Sequence, residues 1–429
     1  MSAAAPIATL EHMLATAIDV ARPENCLPRF LPTPPKHGRT YVIGAGKAAA
    51  VMARTLEAHW TGPLSGIVVT RYGYEVDCAQ IEILQAAHPV PDENSLEAAR
   101  RIQAVAQQAT ADDLVIMLIS GGGSSLLCLP ATGITLKEKQ HIHDALLHSG
   151  ANIREMNCVR RHLSAIKGGH LAQACAPARV HNLIISDVPG DHLIDIASGP
   201  TVADPTTCAD ALRIIDRYNV PVSAQVRAHL EKGHYETPKP TAAAFKRVKS
   251  QLIATAQQSL TAAAEVAQQH GYQSLILGDA IEGESREVAK VLAGIAHSIV
   301  RYQQPLGAPC VLLSGGETTV TVRTKGQGGP NVEFLLGALL ALQGNAQVYG
   351  LAADTDGVDG SMEVAGAWFD PQSLQKAWDQ GLNPQQFLDN NDAHRFFALL
   401  KQQAITGPTH TNVNDFRALL ITPPNQPLL

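Results

Sequence analysis

Six apolar residues in unbroken succession, Leu114-Val115-Ile116-Met117-Leu118-Ile119, dominate the hydrophobic pattern and predict a strand buried on both faces of a parallel sheet. Shorter runs of the same kind, Tyr41-Val42-Ile43, Ile67-Val68-Val69-Thr70, Ile81-Glu82-Ile83-Leu84 and Leu183-Ile184-Ile185-Ser186, alternate with stretches of helical spacing. Helices are expected at 49–58, from Asp92 or Asn94 to Gln108, at 135–149 and at 159–174, and an N-terminal helix carries Ile7, Leu10, Leu14 and Ile18 on one stripe. Strands alternating with helices, each strand emptying into a loop of Gly, Ser or Asp, predict a Rossmann-like doubly wound α/β domain over residues 1–240. The turn-rich Glu236-Thr237-Pro238-Lys239-Pro240-Thr241 marks its end. A second alternation begins at Gln251-Leu252-Ile253-Ala254 and runs through Cys310-Val311-Leu312-Leu313 and Val348-Tyr349-Gly350-Leu351 to Ala418-Leu419-Leu420-Ile421. It predicts a smaller α/β domain with a mixed sheet over 241–429, with Thr319-Val320-Thr321-Val322 as a hairpin partner.

Composition narrows the function classes. A net charge of -6 and a pI near 6.3 leave no overall basic field, which argues against nucleic acid as the principal partner. Any phosphate recognition must be local. No apolar run reaches the length of a membrane span, and the N-terminus carries Glu11 and Asp19 without a basic leader, so a cytoplasmic protein is expected. The seven cysteines are scattered, with no Cys-x-x-Cys pair, and read as reduced and mostly buried.

Candidate chemistry follows the strand ends. Gly44-x-Gly46-x-x-Ala49 after the first strand fits the dinucleotide fingerprint, and Arg71 at the end of the second strand suits NADP rather than NAD. Lys47 inside that loop suits a phosphate or a transferring phosphoryl group. Gly121-Gly122-Gly123-Ser124-Ser125 after the most apolar strand allows backbone N–H groups and hydroxyls to converge on an anion. No P-loop motif and no Gly-x-Ser-x-Gly elbow occurs. Arg160, Ser164 and Lys167 share a face of the predicted helix while Arg161 lies off it; a solvated charged face is the simpler reading, but Gly168-Gly169 follows at once. Asp187 and Asp191 at a strand end suit Mg²⁺ or a general base. Asp354, Asp356 and Asp359 do not make an EF-hand, because Gly357 is misplaced and no closing Glu exists. His141 and His143 do not face one another on a helix and read as surface histidines.

Together the segments VIGAGKAA, LISGGGSSLL, REMNCVRRHLSAIKGGHLA, ISDVPGD, ASGPTVADPTT, LLSGGETTV, GQGGPN, AADTDGVDG and THTNVND resemble the type II glycerate kinases, whose members have also carried the label hydroxypyruvate reductase. The segments span nearly the whole chain in family order. The resemblance implies ATP-dependent phosphorylation of D-glycerate, at O2 rather than O3, with Mg²⁺, in a cleft closed by the C-terminal domain. It places the functional lysine on Lys47 and the essential acid on Asp187, with Asp191 as competitor. Carried onto the matching segments, it assigns ATP or phosphate contacts to Gly44, Gly46, Gly121, Gly122, Gly123, Ser124, Ser125, Gly315, Gly316 and Glu317. Substrate contacts fall on Arg160, Lys167, Asn331, Asn412 and Asn414, and metal contacts on Asp187, Asp191 and Asp354. D-glycerate and ATP are the expected partners, with neither nucleic acid nor membrane, and a homodimer is left open. Three departures stand out: Pro330 where many members have Arg, the run Ser361-Met362-Glu363-Val364, and His410 where Gly is expected. An NAD(P)H-dependent hydroxypyruvate reductase and a non-enzymatic sugar-acid sensor are the alternatives.

Overall fold

The structure, a computed structural model, describes residues 4–423, and the chain divides into two compact units. The first comprises residues 23–186 and 191–253. Its strands are β1 (Thr40–Ala45), β2 (Leu64–Arg71), β3 (Ile81–Ala86), β4 (Leu114–Ile119), β5 (Arg179–Ile185) and β6 (Val248–Ala254). They form one parallel sheet in the order β3-β2-β1-β4-β5-β6, the order of the dinucleotide-binding fold. Every residue of β1 and β4 is buried, as the unbroken apolar run requires. Because Thr40 pairs with Leu114 and Ala45 with Ile119, the two strands end level, and their loops leave the sheet side by side. This is where the winding direction reverses and where such sheets bind ligands.

Two sequence expectations change here. The strand expected to open the second domain, β6, instead completes the first sheet, so the compact unit extends past residue 240 to Ile253. The single helix expected over 159–174 is two, Ile153–His162 and His170–Cys175. Between them Ser164 Oγ accepts from the N–H groups of Ile166 and Lys167, and Gly168 and Gly169 turn through φ of +56° and +89°. A hydroxyl competing for backbone donors and two left-handed residues end a helix that periodicity alone would continue.

The second unit comprises the chain up to Arg22, residues 187–190 and everything from Ala254 onward. Its strands are β7 (Gln273–Gly278), β8 (Gly283–Glu284), β9 (Cys310–Ser314), β10 (Thr318–Thr319), β11 (Val348–Asp354), β12 (Gly366–Phe369), β13 (Gln403–Ala404) and β14 (Asp415–Ile421). The main sheet runs β13-β12-β11-β14-β9-β7 and is mixed, parallel only at β7–β9. The expected hairpin at 319–322 is absent: β10 pairs in parallel with β8, and Thr321 is held by the Glu284 carboxylate. One face of the sheet packs against helices Ser285–Tyr302 and Pro330–Leu342, the other against Ala256–Gln269 and the N-terminal helix Ala4–Ala21.

The N-terminal helix therefore joins this unit and not the domain that follows it in sequence. Leu10, Met13, Leu14, Ala17 and Ile18 are buried, and burial of each large side chain contributes roughly 1.5–3 kcal/mol, more than an isolated amphipathic helix gains from its own hydrogen bonds. Ser259 and Thr411 hydroxyls donate to the carbonyls of Ala17 and Ala21 and fix its end. No helix among the described residues is long and apolar enough to cross a membrane.

Candidate active site

The loop after β1 is bound tightly to the loop after β4. Gly46 takes φ of +144° with its Cα against Ser120, where a Cβ would lie 2.1 Å from Ser120 Oγ, so only glycine fits. The amides that follow are consumed within the protein: Gly46 N–H donates to Val69 O, Lys47 N–H to Gly121 O at 2.8 Å, and Ala48 N–H to Ser120 Oγ at 2.9 Å. The Gly44 and Gly46 loop thus offers its lysine rather than its amides. The dinucleotide reading needs those amides for a pyrophosphate and loses its basis. Gly121 and Gly122 N–H groups have no acceptor among the described residues, and a Cβ on Gly122 would lie 3.4 Å from Lys47 Cγ. Lys47 and the Gly121–Ser125 loop therefore reach the same sheet edge.

Beside this edge lies a cavity of about 550 Å³, lined by Gly122, Ser124, Ser125, Lys139, His143, Arg160 and Lys167 among others. Lys167, expected to contact substrate, is 2 % exposed and its ammonium donates to the carbonyls of Ser124 (2.6 Å) and Leu127 (2.9 Å). Lys139 donates to Leu163 O at 2.7 Å. Arg160 donates through Nε to His143 Nδ1 (3.1 Å) and through a terminal nitrogen to Asn157 Oδ1 (3.2 Å). None of these three cations is paired with a carboxylate among the described residues, and the acid on the lining, Asp144, is exposed. Burial, then mutual repulsion, pushes Lys167 down to about 7 and Lys139 to about 8, and burial brings Arg160 to about 10. Burial and Arg160 hold His143 at about 4, so it is neutral and accepts the Arg160 hydrogen. Both histidines line the cavity; His141 is exposed as expected, whereas His143, expected at the surface, is half-buried.

One buried and two half-buried cations without a carboxylate partner make a site for an anion. An anionic ligand such as inorganic phosphate or glycerate should bind tightest below the Lys167 pKa of about 7 and lose affinity as pH rises through it, by up to about tenfold per pH unit. Calorimetric titration across pH checks this, and Lys167→Met should flatten the dependence. The unliganded protein shows the opposite trend. Between about 7 and the ordinary lysine value of ~10.4 the unfolded chain holds the Lys167 proton that the folded chain has released, so stability rises with pH there.

Arg161, read as lying off the functional face, is buried and pairs with Asp204 (2.9 Å) and Asp195 (3.4 Å). Asp195 also accepts from Asn157, and Ser198 bridges Asn157 and Ser124 hydroxyl-to-hydroxyl at 2.9 Å. The sequence reading missed Lys139, His143, Asn157, Asp195, Ser198 and Asp204; only the adjacency of Arg160 and Arg161 hinted that a charged helix pointed inward.

The remaining candidates divide between the units. Asp191 belongs to the first unit, with φ of +56°; Asp187, directly beyond β5 and Ser186, counts with the second. There Asp187 Oδ2 accepts from Asn412 Nδ2 at 3.5 Å, and Asn412 Oδ1 accepts from Asn414 N–H at 3.0 Å. Asn414 has φ of +68° and its carbonyl is held by Thr355. Asp354 ends β11 and accepts from Asp356 N–H, while Glu317 is exposed. Asn331, expected to touch substrate, is fully buried and commits its amide hydrogens to Asp359 and Asp415, so it orients these acids. The Gly315 carbonyl accepts from Arg417, and Gly316, at φ of +103°, lies against Ile281, where a Cβ would be 2.2 Å from the backbone nitrogen.

Two sequence departures acquire reasons. Pro330 is the first residue of its helix, where a missing N–H costs nothing, and the Asp359 carboxylate accepts from the next two amides, Asn331 and Val332. His410 sits at φ of +58°, the left-handed region that explains why Gly is expected there.

Residues 9–231 match the family described as a domain of unknown function, DUF4147, and residues 310–415 match the MOFRL family. D-glycerate 2-kinase of Thermotoga maritima is 39% identical over 408 residues, covering 94% of this chain and 95% of that protein. A protein of Agrobacterium vitis with the provisional name hydroxypyruvate reductase is 50% identical over 415 residues, 96% of this chain and 94% of its own. A crystal structure of glycerate kinase from Thermotoga maritima has a TM-score of 0.87 and 36% identity, covering 96% of this chain and 99% of that one.

Proposed function

The chain belongs to the glycerate kinase family, and we propose that it transfers the terminal phosphoryl group of ATP to the 2-hydroxyl of D-glycerate, giving 2-phosphoglycerate. The observation that carries this reading is the convergence of Lys47 and the Gly121–Ser125 loop at the switch point, beside a cavity lined by buried Lys167 and half-buried Lys139 and Arg160, none paired with a carboxylate among the described residues. Phosphoryl transfer depends on positioning and charge neutralisation, which are what such an edge supplies.

Lys47 neutralises phosphoryl oxygens, and the Gly121 and Gly122 amides donate to them. Arg160 and Lys167 hold the glycerate carboxylate. Of Asp187 and Asp191, one accepts the proton leaving the hydroxyl, and the other, with Asp354, would hold Mg²⁺, a hard cation that takes oxygen ligands. Bound there, the ion would supply charge neutralisation to the phosphate chain.

Purified protein with D-glycerate and ATP, with Mg²⁺ present, should yield ADP and a product whose phosphorus and proton NMR identifies 2-phosphoglycerate. The 3-isomer would refute the regiochemistry alone. The other reading, an NADPH-dependent hydroxypyruvate reductase, keeps the strand order in its favour but lacks free amides in the loop after β1. Arg71, which suited NADP, stacks its guanidinium 4.6 Å from the Tyr74 ring. Loss of NADPH absorbance on adding hydroxypyruvate, without ADP formation from glycerate, would replace the kinase with the reductase.

A further inference from the structure

In the first unit, His162, Cys208 and Glu236 bring an imidazole nitrogen, a thiol sulfur and a carboxylate oxygen within 4.8 Å of one another. No step proposed for the kinase uses them. His162 closes the helix Ile153–His162 that carries Arg160 and Arg161, and its side chain is 0 % exposed. Its Nδ1 lies 2.9 Å from Cys158 O, so the ring hydrogen is on Nδ1 and Nε2 presents a lone pair. That nitrogen has no hydrogen-bond partner, yet it faces Glu236 Oε1 at 3.4 Å. Glu236 Oε1, on a side chain 36 % exposed, has the Lys239 ammonium as a partner, so the unsatisfied group is the buried His162 lone pair, which costs free energy unless a cation or a proton takes it.

We propose that His162 Nε2, Cys208 Sγ and Glu236 Oε1 form a binding site for a zinc-like divalent transition metal, separate from the kinase chemistry. The donor types select the ion. Imidazole, thiolate and carboxylate together suit zinc, whereas Mg²⁺ and Ca²⁺ take oxygen ligands. Bond lengths of roughly 2.0 Å to nitrogen and oxygen and 2.3 Å to sulfur imply a tetrahedron whose nitrogen–oxygen edge is roughly 3.3 Å. The His162–Glu236 pair already stands at 3.4 Å.

The surroundings are those of a built site. The Cys158 carbonyl fixes the ring tautomer, as an outer-sphere acceptor does for metal-bound histidine. Cys208 is the first residue of the helix Cys208–Arg217, whose start is locked by the Thr207–Asp210 capping box; burial and the Glu236 carboxylate push its thiol up to about 12, so the metal must displace that proton. Glu236 is oriented from its other oxygen, which accepts from Cys208 N–H at 3.0 Å. Lys239 pairs with Glu236 Oε1 but also donates to Thr206 O and Thr237 Oγ1, so its ammonium keeps partners when a metal takes the carboxylate oxygen. Binding releases the thiol proton to solvent, and a water completes the fourth position on the Glu236 side, which is 36 % exposed. The ion would tie the end of the Arg160–Arg161 helix to the following helix and to the 232–240 loop.

The full-length protein, stripped with chelator, should take up one equivalent of Co²⁺ with a thiolate-to-cobalt charge-transfer band, and Zn²⁺ should displace it and raise the melting temperature. Cys208→Ser should abolish the band. Glu236→Gln, at a half-exposed position that leaves the fold intact by circular dichroism, should weaken Co²⁺ affinity roughly tenfold or more. Absence of a stoichiometric band in the wild-type protein overturns the proposal. So does a band that survives Cys208→Ser, or an affinity unchanged in Glu236→Gln.

Discussion

Replacing Lys47 with alanine is expected to lower kcat for glycerate phosphorylation by roughly 10²–10³, the loss found when one preorganised donor to a developing charge is removed. kcat/KM should fall in parallel, since the ammonium acts on charge that grows as the phosphoryl group moves. The fold should survive. The loop is held by backbone groups that alanine retains, with the residue 47 amide on Gly121 O and its carbonyl accepting from Thr70 Oγ1. Steady-state kinetics with circular dichroism as control reads both parts. Turnover unchanged in Lys47→Ala would remove the lysine from the mechanism, and Lys47→Arg should recover only part of the rate, because a planar guanidinium on a longer stem does not replace a compact ammonium.

Arg417→Met is expected to cost about 3–5 kcal/mol of stability at neutral pH, the largest thermodynamic effect of any single substitution considered. Arg417 is fully buried on β14. It forms an ion pair with Asp415 and donates to Gly315 O (3.0 Å) and Thr318 Oγ1 (3.1 Å). Methionine fills much of the volume but leaves Asp415 buried with Asn331 Nδ2 (2.6 Å) and the Thr318 amide (3.4 Å) as donors. Burial pushes the Asp415 carboxyl upward, and Arg417 is the main influence pulling it back. Without the arginine it rises further. The folded chain then holds a proton that the unfolded chain has released, so stability falls as pH rises through that window. The destabilisation should therefore be largest at neutral pH and shrink under mildly acidic conditions, where a protonated Asp415 needs no counter-charge. Urea unfolding of both proteins at the two conditions measures the difference; a cost independent of pH would mean that lost packing, not the stranded carboxylate, dominates.

The cation cavity shows where sequence reasoning lost its hold. Lys167 was placed with Arg160 on one helical face because both obey the 3.6-residue period, and a helical lysine ordinarily snorkels to water. Instead Ser164 and the Gly168–Gly169 pair end the helix, and the chain turns Lys167 inward onto the carbonyls of Ser124 and Leu127. Nothing in the local residues states that Ser124 and Leu127, 43 and 40 positions earlier, will supply those carbonyls. Lys139 and His143 are similar: on an amphipathic helix their burial depends on what packs over them. Asn331 errs the other way, since a polar residue in a shared motif looked like a ligand contact and is consumed by Asp359 and Asp415.

By contrast, the α/β class, the long apolar strands, a helix cap at Asp92 or Asn94 and the strand-end loops with Lys47 and Gly121–Ser125 were legible from local rules: period-two and continuous apolar runs, side chains that cap, and glycines where φ must be positive. The juxtaposition of those loops also follows from sequence once the strand order is granted, because parallel strands of equal length end level. What only the tertiary structure decided was membership and burial. The N-terminal helix packs with residues 254 onward, β6 joins the first sheet, and Lys139, Arg160 and Lys167 share one cavity without a counter-ion. Each of these depends on contacts between residues far apart in the chain, whose free energy comes from burial and desolvation, and neither quantity is a property of a residue and its neighbours in sequence.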